Sequence, residues 1–295
     1  MDTYLAWLKR EMSPLFEAGG TWWRPYHMAL VQASAMPEPV EIGAREAQEA
    51  LKRSGTLFLR YFTRTFADPT EFWYVACDEY KFDKLPKKIR YYIRRGYKSC
   101  IVQRVHPGWL AANGYECYVA ALERYNKACR MTRGDFEKNV MDSVGGPFDF
   151  WAVLHEGKLA TYSKCVVGDD YTSALVLKCH PAYLCFYPVY ALIDTMLKTY
   201  VVDEHKRVTF GFRSIVHDTH IQEFLGKFGF HKVYCDLKVV YRPSMRAFVN
   251  FFMPFKSVLE RLPDTRLMSS FRSLLAQEEI RRSFLQRRGG TPSCS

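Results

Sequence analysis

Between Cys100 and Tyr241 the chain spells out an order of elements that few architectures accommodate. A strand at Cys100–Val105 is followed by a helix from His106 to about Tyr125 and a second helix from Arg133 to Val144. Gly145-Gly146-Pro147 breaks the chain. Strands at Phe148–His155 and Lys158–Val167 are joined by a Glu156-Gly157 turn, and Tyr171–Lys178 makes a third. After a loop come a helix at Pro188–Val201, a strand at Arg207–Phe212, a helix at Thr219–Lys227 and one long strand at His231–Tyr241. The order β-α-α-β-β-β-α-β-α-β predicts an α/β (α+β) domain with a mixed sheet flanked by helices and excludes a simple doubly wound fold.

The flanks read as attachments to this core. Residues 1–20 pattern a short amphipathic helix through Leu5, Leu8 and Met12. A strand is expected at Trp22–Met36, a helix at Gly43–Ser54, and strands at Thr56–Phe66 and Glu71–Cys77. Lys84–Lys98 is the most polarised helix. Leu85, Ile89, Tyr92, Ile93 and Gly96 share one face, and Lys87, Arg90, Arg94 and Lys98 the other. Helices at Ser244–Leu262 and Asp264–Arg288, split by Pro263, form a tail. Three segments are expected: an N-terminal β/α extension over 1–98, a core over 99–245 and a basic helical tail over 246–295.

Net charge narrows the partners. The 295 residues carry 42 Lys+Arg against 31 Asp+Glu, a balance of +11. Such an excess favours an anionic partner: a nucleic acid, a phosphorylated cofactor or an anionic lipid surface. The basic helix adds seven cations without an acid, which repel one another unless an anion relieves them. Nine scattered cysteines form no pair or Cys/His cluster with metal-ligand spacing, so no metal is expected. With no signal segment at Met1, a reducing cytoplasm is the expected compartment. No apolar run reaches the roughly 20 residues of a membrane span.

Three stretches carry a family resemblance: Lys88 through Gly96, Gly157 through Tyr162, and Phe210-Gly211-Phe212-Arg213 with Ile221 through Phe230. Together they resemble the GNAT fold, and within it the single-module relatives of the Fem-type transferases. The resemblance covers about residues 80–245 and implies an acyltransferase. Such an enzyme moves an acyl or aminoacyl group directly from acyl-CoA or aminoacyl-tRNA to an amine. Two departures stand out. The loop Cys179–Pro188 contains no glycine and two prolines, a poor scaffold for the backbone nest that holds a pyrophosphate. The lysine of the terminal Phe-Gly motif sits at Lys227, shifted from the family spacing.

In that frame a donor carbonyl lies where the fourth and fifth core strands splay. The expected catalytic residues are His180, His217 and Asp218, which are histidines suited to proton transfer near neutral pH and a nearby acid. Lys178, Arg213, Arg90 and Arg94 are expected to bind the donor or substrate, and Tyr183, Tyr187 and Tyr190 to line the acceptor pocket. Each has a structural alternative. Thr219 and Gln222 suit a capping box beside Asp218, and aromatic residues beside a loop commonly pack in the core. Arg266, Arg272, Arg281, Arg282, Arg287 and Arg288 give the tail a basic character suited to tRNA or to peripheral contact with a membrane. A non-catalytic GNAT-fold module binding an anionic ligand or RNA is the rival reading.

Overall fold

A computed structural model describes residues 3–11, 14–124, 131–215, 220–259 and 266–289. The chain opens with α1 (Thr3–Glu11), β1 (Phe16–Ala18), β2 (Thr21–Tyr26), β3 (Ala29–Gln32) and α2 (Ala44–Ser54). Next come β4 (Phe58–Tyr61), β5 (Thr65–Phe66), β6 (Phe72–Cys77), α3 (Lys87–Ser99) and β7 (Ile101–Val105). The helices α4 (Pro107–Asn113), α5 (Tyr115–Glu123) and α6 (Arg133–Met141) precede β8 (Phe148–His155), β9 (Lys158–Val167) and β10 (Tyr171–Cys179). The core closes with α7 (Pro188–Leu197), β11 (Arg207–Phe212), α8 (Ile221–Gly226), β12 (His231–Cys235) and β13 (Lys238–Tyr241). The tail holds α9 (Pro243–Phe252), α10 (Lys256–Leu259) and α11 (Arg266–Gly289).

Two compact units divide the chain, and their limits are not residues 98 and 245. The first is Met1–Glu11, Val75–Gly211 and Ile221–His231, so α3 belongs with the core rather than with an extension. The second is Met12–Tyr74, Phe212–His220 and Lys232–Ser295. Lys238–Tyr241, expected in the core, goes with the N-terminal segment because β13 pairs antiparallel with β4, completing a sheet that β1 to β4 begin, and the tail follows it.

In the first unit the strands run β7-β8-β9-β10-β11-β6. β7 to β10 are antiparallel neighbours, and β10 pairs parallel with β11. Phe150 and Tyr162 point from one face into a buried cluster with Leu110, Cys117, Tyr118 and Phe136 of α4 to α6. From the opposite face Trp151 donates its indole N–H to the Tyr200 hydroxyl, at 2.8 Å, in the turn that follows α7. Helices therefore cover both faces. The helix expected from His106 to Tyr125 is broken at Gly114. A Cβ there would lie 2.6 Å from the Leu110 carbonyl and 2.7 Å from the Phe136 ring.

In the second unit α2 packs Ala47, Ala50 and Leu51 against Trp23, Leu30 and Leu59 of the sheet β1-β2-β3-β4-β13. Three expected strands are each two. Trp22–Met36 folds back at His27, which holds the left-handed conformation (φ 53°), into the β2–β3 hairpin. The breaks in Thr56–Phe66 and His231–Tyr241 share one cause. The Asp236 carboxylate is buried and accepts from the Thr63 and Arg64 backbone N–H groups, at 2.8 and 3.0 Å, and from the Thr63 hydroxyl at 2.7 Å. Burial by itself would raise its pKa, yet these bonds and Lys238 hold it below the usual carboxylate value.

Candidate functional site

In the first unit's sheet, β10 and β11 pair over only part of their length. β10 pairs with β9 from Thr172 to Cys179, but with β11 only at Tyr171–Arg207, Thr172–Val208 and Ser173–Thr209. Beyond Ser173 the parallel strands part. Local devices on both strands account for this. On β10 the register with β9 slips between Ala174 and Val176, leaving Leu175 as an exposed extra residue that bends the strand. On β11 Gly211 adopts φ +72°, a conformation that glycine alone reaches at little cost. Its N–H donates to the Thr209 hydroxyl at 3.1 Å, and that hydroxyl donates to the Val75 carbonyl at 2.8 Å. A polar clamp thus fixes β11 where its partner leaves. From Ala174 to Cys179, β10 has no β11 residue paired with it.

Lys178 lies on β10 within this stretch, paired with Tyr162 of β9. His180 follows, with its N–H bonded to the Ala160 carbonyl at 2.9 Å. Its Nδ1 accepts the Ala182 N–H at 3.2 Å, capping the 3-10 turn Pro181–Phe186. Tyr183 packs against His180 and His155, with ring centroids 5.2 and 5.7 Å away. Tyr187, left-handed at φ 58°, links that turn to α7.

Tyr187 and Tyr190 belong to a packed aromatic cluster. Tyr92 of α3 stacks on Tyr187 at 4.5 Å and meets Tyr190 edge-on at 5.1 Å. Tyr190 also contacts Phe224 and Phe228, and burial pushes its phenol pKa up. Gly96 allows this approach: a Cβ there would lie 2.7 Å from the Tyr187 carbonyl and 3.0 Å from Ala191 Cβ. The first turn of α7 is poor in free donors. Pro188 has no N–H, and those of Tyr190 and Ala191 go to the Tyr187 carbonyl.

On α3 the apolar side is buried through Ile89, Ile93 and Gly96, while Lys87, Arg94 and Lys98 are exposed. Arg90 is half-buried, 4.0 Å from Asp83, and Arg94 lies over the Phe82 ring at 5.6 Å. Arg213 belongs to the second unit, where it donates to the Glu71 carbonyl at 2.8 Å and covers the Trp73 ring at 4.4 Å. The structure therefore groups Tyr92, Tyr187 and Tyr190 with α3 and places Lys178 and His180 on the splayed strand and its loop. His217 and Asp218 lie outside the described residues, as do Thr219 of the expected cap and the side chains of Arg266, Arg287 and Arg288. Among the described residues no group of three or more His, Cys, Asp or Glu is placed to hold a metal ion.

Sequence reading missed three features. Leu175 leaves no mark in a strand that still reads as apolar. Asp194 does leave one, as a lone acid in the apolar run Pro188–Leu197. Fully buried, it accepts from the Tyr80 hydroxyl and, at 2.6 Å, from the Tyr97 hydroxyl, and it pairs with Lys198 at 2.7 Å. Burial, then the bond to Asp194, pushes both phenols above their ordinary pKa. The third is a cavity of about 260 Å³ that includes Lys81, Lys84, Pro86 and Lys227 in its lining. Glu79 also lines it, held below its usual pKa by Lys81 and Lys84.

A mixed sheet with helices on both faces, a bulged fourth core strand and a parallel neighbour that departs from it defines one arrangement. The fold is GNAT-like. At 10% identity and a TM-score of 0.55, the chain resembles the C-terminal domain of a putative lysylphosphatidylglycerol synthetase from Agrobacterium fabrum, over 85% of this chain and 91% of that one. L-PGS from Bacillus licheniformis matches at 11% identity and 0.50, over 80% and 90%. The crystal structure of FemX matches at 9% identity and 0.51, over 78% and 85%. No known family model matches the chain, and no curated protein matches it by sequence.

Proposed function

We propose that the protein transfers an acyl or aminoacyl group from an activated, anionic carrier to an amine in the gap between β10 and β11. The observation that carries this reading is the end of β10–β11 pairing at Ser173 and Thr209. A donor carbonyl laid along β10 would meet backbone N–H groups with no strand opposite them, which suits stabilisation of a developing oxyanion. The amine nitrogen attacks the carbonyl carbon and a C–N bond forms. The carrier's oxygen or sulfur leaves with the bonding pair and takes up a proton, while the amine nitrogen gives one up. With Nδ1 occupied by the Ala182 N–H, neutral His180 carries its proton on Nε2. In this reading His180 donates to the carbonyl oxygen rather than acting as the base. Lys178 steers the anionic reactant.

The donor-poor first turn of α7 disfavours a pyrophosphate at that point, and so favours aminoacyl-tRNA over acyl-CoA. The exposed cations of α3, with Lys84 and Lys227 at the cavity, supply contacts for a phosphate-rich carrier. FemX and the lysylphosphatidylglycerol synthetases share this fold.

The test deletes Leu175, which removes the bulge and lets β10 run on beside β11. Full-length protein is incubated with labelled aminoacyl-tRNA or acyl-CoA and an amine, and the amide product is counted. Amine-dependent product from the wild type, lost in a deletion variant with an unchanged far-UV spectrum, is expected. Equal turnover in both, or none with either donor, overturns the reading and leaves the binding module in its place.

A further inference from the structure

The second unit carries an apolar stripe that the transfer reaction does not explain. α9, the 3-10 turn Met253–Phe255 and α10 make one helical run from Pro243 to Leu259. On it Phe248, Phe251, Phe255 and Val258 stay 40%, 66%, 50% and 59% exposed. Their spacing of three, four and three residues puts them within roughly 80° of arc, along about 15 Å of helix. The inner side is already satisfied: Val249 is fully buried, and Phe252 meets the Phe271 ring of α11 at 5.2 Å; Phe248, at the edge of the stripe, meets that ring at 5.2 Å as well and keeps its other side in water. Four large, partly exposed apolar side chains along one helical face are not the scattered exposure that a soluble surface tolerates.

Along the run itself the charges have one sign, although Glu279 of α11 lies against it. Arg242 to Leu259 contains no Asp or Glu, and it includes Arg242, Arg246 and Lys256. Arg246 is exposed and Lys256 pairs with Glu279 of α11. From Pro243 to the C-terminus there are nine Lys or Arg and four Asp or Glu. A second copy would bring the same cations to the same stripe and be repelled. An anionic lipid surface complements both features, since the rings enter the acyl boundary while the cations meet the headgroups. We propose that the Phe248–Val258 face docks the protein on an anionic bilayer. Among the described residues no helix is long and apolar enough to cross a membrane, so the contact is peripheral. This inference stands apart from the transfer reaction and survives its failure.

Full-length protein is sedimented with vesicles of phosphatidylcholine alone or mixed with phosphatidylglycerol. The wild type is expected to bind the mixed vesicles. Phe251→Ser/Phe255→Ser lowers that partition at least about tenfold, because two rings no longer leave water. Arg246→Glu lowers it about tenfold on the anionic vesicles. All these side chains are exposed, so thermal melts of the variants should match the wild type. The proposal is overturned by wild-type protein that binds neither vesicle, by equal binding to both, or by a double variant that binds as well as the wild type. A wild-type dimer that the double variant converts to monomer, with no vesicle binding, assigns the stripe to a second copy and overturns it too.

Discussion

α3 and the α9–α10 run are both amphipathic helices with cations and an apolar stripe, yet they use the stripe in opposite ways. α3 turns Ile89, Ile93 and Gly96 inward and leaves most of its cations in water. The α9–α10 run keeps Val249 and Phe252 for its own unit and turns a second row of rings outward. Amphipathic patterning thus says that a helix has an apolar face but not what covers it. The partner decides: α7 offers α3 a small-residue seat at Ala191 and a polar anchor at Asp194, and nothing among the described residues covers Phe251.

Four substitutions would break or sharpen that contrast. Asp194→Ala leaves the Tyr80 and Tyr97 hydroxyls without their shared acceptor, and should lower unfolding free energy by about 4 kcal/mol in urea titration. Ile93→Ala opens a cavity under α3 and should cost about 3 kcal/mol by the same measurement. Gly96→Ala forces α3 away from the Tyr187 carbonyl. About 2 kcal/mol is expected, with a change in near-ultraviolet circular dichroism as Tyr92 loses its stack. Phe251→Ala should shift stability by less than about 0.5 kcal/mol, because its ring is already in water. If Phe251→Ala cost as much as Ile93→Ala, the two helices would not differ as described.

Alkali tests the same anchor. Tyr80 and Tyr97 have folded pKa values raised above the unfolded value of about 10. Their contribution is therefore complete below about pH 10 and declines as the pH rises further. Denaturant midpoints recorded from pH 8 to 11 should be flat at first and then fall. In Tyr97→Phe the fall should be smaller.

Much of the fold was legible because it rests on local pattern. The strands Phe148–His155, Lys158–Val167 and Arg207–Phe212 and the buried face of α3 follow from alternation and helical spacing. What failed were stretches broken by a local turn, at His27 and Gly114, and stretches governed by one distant side chain. Asp236 captures two backbone N–H groups more than 170 positions earlier and so divides two strands that read as continuous. For the site, the splay followed only from the resemblance. Gly211 inside a strand was its one local sign, and the bulge at Leu175 had none, because it depends on register with β9. Tyr187 and Tyr190 were singled out as pocket residues, and only the fold shows the Tyr92 ring against both.

The sequence by itself determined the order of the elements from Phe148 to Phe212, the cationic face of α3 and the chain's excess of positive charge, since each is a property of neighbours along the chain. Tertiary structure decided where β10 and β11 separate, that the C-terminal strand completes the N-terminal sheet, and which apolar stripe is left uncovered. Those outcomes depend on hydrogen-bond register and burial between segments far apart in the chain, and no local pattern encodes either.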